Sequence, residues 1–97
     1  MRQKHSLLQK SVRQALHLAG WFTVPLKSGM GSYKGIADLY AIRKGRSVWI
    51  EIKAGEDRQS DFQRRFDNDI CDHGGEYIVA RKIDDLKKFG MIENIVL

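Results

Sequence analysis

Near the start of the chain apolar residues recur at three- and four-residue spacing: Leu8, Val12, Ala15, Leu16 and Ala19. That period places them on one stripe of a helix from about Lys4 to Ala19, with Lys10, Arg13, Gln14 and His17 turned away. Gly20 supplies the stop. Trp21–Leu26 is rich in β-formers, and Pro25 marks an edge or a strand exit. Lys27–Lys34 is a glycine-bearing basic loop. Two strands follow, Ile36–Arg43 and Arg46–Ala54, joined by Lys44-Gly45, a two-residue connection of the kind that closes hairpins. After the polar stretch Gly55–Gln59, Ser60 and Gln63 form a capping-box pattern. A second helix therefore begins at Ser60, carries Phe62, Phe66, Asp69 and Ile70 at helical spacing, and ends at Gly74-Gly75. Glu76–Arg81 is almost continuously apolar between Tyr77 and Ala80, which predicts a central strand. Asp84 or Asp85 caps a short last helix running through Phe89. The apolar tail Met91–Leu97 needs a surface to pack on. The expected order is α-β-β-β-α-β-α.

Composition narrows the class. At 97 residues the expectation is one domain, residues 1–97, with a thin core. With 42% hydrophobic and 30% charged residues the chain reads as globular rather than disordered. No apolar run approaches the ~20 residues that span a bilayer. The first ten residues are polar and basic without a signal core, so a cytoplasmic protein with no membrane partner is expected. The single cysteine, Cys71, excludes an intramolecular disulfide and a multi-cysteine zinc site, and reads as a small buried hydrophobe. Trp21, Trp49, Phe62 and Phe66 read as core.

Charge is uneven. Residues 1–37 hold Arg2, Lys4, Lys10, Arg13, Lys27 and Lys34 and no acid, whereas the remainder is nearly balanced. A one-sided basic surface suits a polyanion such as nucleic acid; a solvated helix with no partner gives the same pattern.

The hairpin carries the candidate chemistry. With Lys44-Gly45 as its turn, Arg43 pairs with Arg46 and Asp38 falls opposite Glu51, while Lys53 lies on the same face two residues on. Two carboxylates so placed repel, and three compensations are open: a salt bridge to Lys53, protonation, or a hard divalent cation.

These residues resemble a family. Gly35-Ile36-Ala37-Asp38-Leu39, then Glu51-Ile52-Lys53, then Gln63 early in the next helix, is similar to the PD-(D/E)XK nuclease superfamily. More narrowly the chain resembles the small stand-alone form of the VRR-Nuc (virus-type replication-repair nuclease) domain, from about His5 to Asp85. Further points of likeness are Gln9 in the first helix, Ser28-Gly29, the glycine pair before Tyr77, and Asp84-Asp85. Two positions depart: Ala37 stands where the family has proline, and His5 stands where it has a first-helix glutamate. Imidazole favours softer ions than Mg²⁺, such as Mn²⁺ or Zn²⁺.

The resemblance implies a restriction-endonuclease-like α/β core with a central mixed sheet flanked by helices. It implies a metal-dependent DNA endonuclease with Asp38, Glu51, Lys53 and Gln63 as catalytic residues. Asp38, Glu51 and the backbone carbonyl of Ile52 would hold Mg²⁺, with Mn²⁺ able to substitute and His5 a further candidate ligand. Gln9, Lys10, Arg13, Lys27, Ser28, Gly29, Tyr33 and Lys34 would contact DNA. Gln63 has a second explanation as half of the capping box. The stand-alone form implies a homodimer that cuts four-way (Holliday) junctions. The rival expectation is a basic DNA-binding module, or a nuclease subunit active on flaps or nicks or only inside a larger complex.

Overall fold

A computed structural model describes residues 2–27 and 29–93. The elements are α1 (Arg2–Leu18), β1 (Phe22–Pro25), β2 (Leu39–Arg43), β3 (Arg46–Ile52), α2 (Asp61–Asp72), β4 (Tyr77–Ala80) and α3 (Ile83–Lys88). The order is the one expected from the hydrophobic pattern.

The strands form one mixed sheet in the order β1-β2-β3-β4. β1, β2 and β3 pair antiparallel, and β4 joins β3 in parallel after the α2 crossover. The hairpin register is the predicted one, from Arg43↔Arg46 to Leu39↔Ile50. Lys44 and Gly45 both take positive φ, +50° and +83°, as a tight hairpin turn matched to the sheet twist requires.

The two sheet faces differ. On one, Leu39, Ala41, Val48, Ile50, Ile52, Ile78 and Ala80 pack with Val12 and Leu16 of α1 and Leu86 of α3. On the other, α2 brings Phe66 against Trp49, with ring centroids 5.2 Å apart, and against Tyr77 at 6.1 Å. Trp49 also stacks on Tyr40, its cross-strand partner, at 4.5 Å. Trp21 is buried and its indole N–H donates to the Met91 carbonyl at 2.7 Å, which fastens the chain after α3 to the core.

Several expectations are corrected. β2 starts at Leu39 rather than Ile36, because the backbone twists at Asp38, and β3 stops at Ile52 rather than Ala54. β4 lies at an edge of the sheet among the described residues, not at its centre. Its apolar run reflects helices over both faces, which bury an edge strand as effectively as neighbours would. α3 is capped at Lys82, and Asp85 acts from inside the helix, accepting from the Arg81 and Lys82 amides at 2.8 and 3.2 Å. Cys71 is exposed, its thiol beside Asp67, because it falls on the outer side of α2. Phe62 is 50% exposed, because the first turn of α2 borders a surface cleft. Of the tail, residues 94–97 lie outside the described residues, while Met91 is buried.

Candidate active site

β3 is one of the two inner strands of the sheet, so a side chain near its end has a neighbouring strand on each side. Glu51 pairs with Val79 of β4 and is only 2% exposed, the one charged residue in the core among the described residues. Its Oε2 accepts a hydrogen bond from Gln63 Nε2 at 2.8 Å and lies 3.3 Å from Lys53 Nζ. Its Oε1 is buried and accepts no hydrogen bond from the described residues. Burial, reinforced by the negative charge of Asp38 and only partly opposed by Lys53, pushes the Glu51 carboxyl up to about 7.

Asp38 reaches Glu51 by an irregular backbone. Its amide donates to the Ile50 carbonyl at 3.1 Å, while its own carbonyl accepts from the Leu26 amide at 2.8 Å. In a regular strand both groups of one residue face the same neighbour, so the chain is twisted here, as at a β-bulge. The twist ends the β2 ladder at Leu39, so Asp38 does not sit square across from Glu51 as a straight register implies. Instead Asp38 Oδ2 accepts the Ile52 amide at 2.7 Å, taking the place of a ladder bond. His5, near the start of α1, brings its Nε2 to 3.4 Å from the same oxygen.

Gln63 performs both tasks that the sequence left open. Its Oε1 accepts the Ser60 amide at 2.8 Å and the Ser60 hydroxyl accepts the Gln63 amide at 3.2 Å, which completes the capping box. The same side chain's Nε2 is the donor to Glu51. Gly35 makes this possible by letting the loop before Asp38 lie against the helix start. A Cβ at Gly35 would stand 2.2 Å from the Phe62 carbonyl oxygen, and its φ of +81° disfavours other residues as well. This steric role is invisible in a single sequence, where Gly35 is only a motif position.

Among solved structures, a "VRR_NUC domain" matches with a TM-score of 0.76 at 19% identity, covering 89% of this chain and 92% of that one. The fold is that of a VRR-Nuc domain. Hjc, a Holliday junction resolvase from the archaeal hyperthermophile Archaeoglobus fulgidus, matches with a TM-score of 0.62 at 18% identity, over 79% of this chain and 67% of that one. No protein-family model and no curated protein matches the chain. The likeness is one of fold, while the site rests on the geometry of these residues.

Around this VRR-Nuc fold the sequence-derived residues divide into two groups. Gly29, Tyr33 and Lys34 line a cleft of about 390 Å³ that also includes Asp38 and Gln63. Phe62 lines it too, with the Lys34 ammonium 5.1 Å from its ring centroid. Gln9, Lys10 and Arg13 line a different groove, of about 540 Å³, between the outer face of α1 and Thr23 of β1. Lys27 is exposed, and Ser28 lies outside the described residues.

The cluster around Glu51 fits a hard cation by its donor chemistry. Two carboxylates are at hand, and the unpartnered Glu51 Oε1 is an acceptor that a cation would complete. The Ile52 amide faces Asp38, and in an extended strand the carbonyl of the same residue faces the same side. Among the described residues no three His, Cys, Asp or Glu side chains converge on one point. A cation here would complete its shell with water and phosphate oxygens, the habit of Mg²⁺.

Proposed function

We propose that the protein is a metal-dependent, structure-selective DNA endonuclease that hydrolyses phosphodiester bonds, with four-way junctions as its substrate. The observation that carries this reading is the buried, unpartnered oxygen of Glu51 beside Asp38 and Lys53 on a nuclease fold. A fold stabilised only by burial has no use for such a carboxylate; a site that gathers charge at a phosphate does.

In this reading Asp38, Glu51 and the Ile52 carbonyl hold Mg²⁺, or Mn²⁺ in its place, with His5 at hand beside Asp38. The bound ion supplies an acidified water and a positive charge for the phosphate. Lys53 exchanges its contact with Glu51 for the reacting phosphate or the attacking water. Gln63 holds Glu51 Oε2 in place, and its own orientation is fixed by the helix cap. Lys34, Tyr33 and the Gly29 backbone contact one stretch of DNA at the cleft, and Gln9, Lys10 and Arg13 contact another along α1. Selection is by DNA shape, consistent with the likeness to a Holliday junction resolvase.

A four-way junction needs two cuts on strands of like polarity, so the active species in this reading is a two-fold homodimer. Light scattering at micromolar concentration is expected to return twice the mass of one chain. A mass of one chain moves the substrate from junctions to flaps or nicks.

The rival reading, a DNA-binding module or a subunit needing a larger complex, is favoured by one observation. Lys53 already stands 3.3 Å from Glu51 and offsets part of its charge without a metal. Incubating a labelled junction with the protein across Mg²⁺, Mn²⁺, Ca²⁺ and EDTA separates the two. Nicking with Mg²⁺ or Mn²⁺ supports the nuclease; binding without nicking in every metal supports the rival.

A further inference from the structure

The loop that borders the cleft carries an apolar side chain with none of the described residues packed over it. Met30 is 106% exposed, more than in an extended reference chain. It is held up by a tight turn in which the Ser32 amide and hydroxyl both donate to the Gly29 carbonyl, at 3.1 and 2.7 Å. Gly29 and Gly31 on either side take φ of +136° and +87°, and a Cβ on either would meet nothing within 4 Å. The two glycines thus serve the shape of the turn rather than packing. Behind the tip, Gly29, Ser32, Tyr33 and Lys34 line the same cleft as Asp38 and Gln63.

A long, flexible apolar tip on a tight turn, with the Lys34 ammonium behind it and Asp38 in the same cleft, suits one occupant best. We infer that Met30 is a wedge that enters the base stack of bound DNA at a break in that stack, and so selects branched or nicked DNA over continuous duplex. The inference rests on the DNA-cleft reading above and deepens it. Full burial of a methionine strengthens binding by about ten- to a hundredfold. In continuous duplex the cost of unstacking a step is of the same order and cancels the gain. At a junction centre or nick the stack is already open, and the gain survives. The wedge therefore discriminates by roughly one to two orders of magnitude without reading any base.

The test uses the full chain with Asp38→Asn, so that DNA is bound and not cut, and a junction carrying 2-aminopurine at the central step. Binding is expected to raise the fluorescence severalfold. Met30→Ala in the same background abolishes most of that rise and weakens junction binding at least tenfold, leaving duplex binding unchanged. Met30→Leu keeps the rise. Thermal unfolding of both variants, unchanged because Met30 packs against none of the described residues, confirms that the fold is intact. An undiminished rise in Met30→Ala overturns the wedge, as does an equal loss of affinity for junction and duplex; the first would leave the tip to a protein partner. If the protein bearing Asp38 cuts junctions while Met30→Ala is silent in fluorescence and affinity, the wedge fails and the nuclease stands. If that protein cuts nothing yet the rise depends on Met30, the wedge stands and the nuclease reading fails.

Discussion

Replacing Glu51 by glutamine should make the metal-free protein more stable, and by an amount that grows with pH. The carboxyl titrates near 7 in the folded chain against an ordinary 4.5. Between those values the folded state binds the proton more tightly than the unfolded state, so stability is greatest below pH 4.5 and falls as pH rises through 7. At about 1.4 kcal/mol for each tenfold change in proton affinity, this group costs the fold about 1 kcal/mol at pH 5 and about 3 kcal/mol at pH 8. Glutamine retains an oxygen to accept from Gln63 and does not titrate, so it removes the pH-dependent part. Urea unfolding of both proteins in EDTA, at pH 5 and pH 8, isolates that part, because any fixed cost of the substitution cancels between the two pH values. Glu51→Gln should gain about 2 kcal/mol more at pH 8 than at pH 5, a large share of the ~5–15 kcal/mol that holds a small domain. For a chain of this size the pH 8 difference is on the order of 10 °C in Tm. Equal gains at the two pH values would refute the claim that burial and Asp38 hold this carboxyl above its ordinary value.

Asp38→Asn should lower cleavage at least a hundredfold while a gel shift shows binding equal to or slightly tighter than wild type. Asparagine keeps an oxygen for the Ile52 amide but removes a negative charge facing phosphate. Lys53→Ala should lose cleavage to a similar extent; a rate within threefold of wild type would remove Lys53 from the chemistry. Gly35→Ala should cost about 2–3 kcal/mol in urea unfolding, from the close approach to Phe62 and the positive φ, and should depress cleavage beyond that loss by shifting Gln63. An unaltered unfolding midpoint would show that the loop can yield.

Local rules carried far in this chain. The period of Leu8, Val12, Ala15 and Leu16, the Ser60–Gln63 cap and the Lys44-Gly45 turn depend on residues within a few positions of one another. Their hydrogen bonds and spacings can therefore be read directly, and the hairpin register followed from the turn alone. That register was enough to bring Asp38, Glu51 and Lys53 together. What it did not contain was how Asp38 gets there, because the twist answers to Leu26 on one side and Ile50 on the other, partners twelve residues away in opposite directions. The edge position of β4, the exposure of Phe62 and Cys71 and the approach of Gly35 to α2 were likewise decided by packing between distant segments. An apolar run looks the same whether strands or helices cover it. The second role of Gln63 and the unpartnered oxygen of Glu51 arise only when β3, α2 and the loop before Asp38 meet. Burial, and with it the proton affinity of a carboxylate, belongs to the assembled fold and to no single stretch of its sequence.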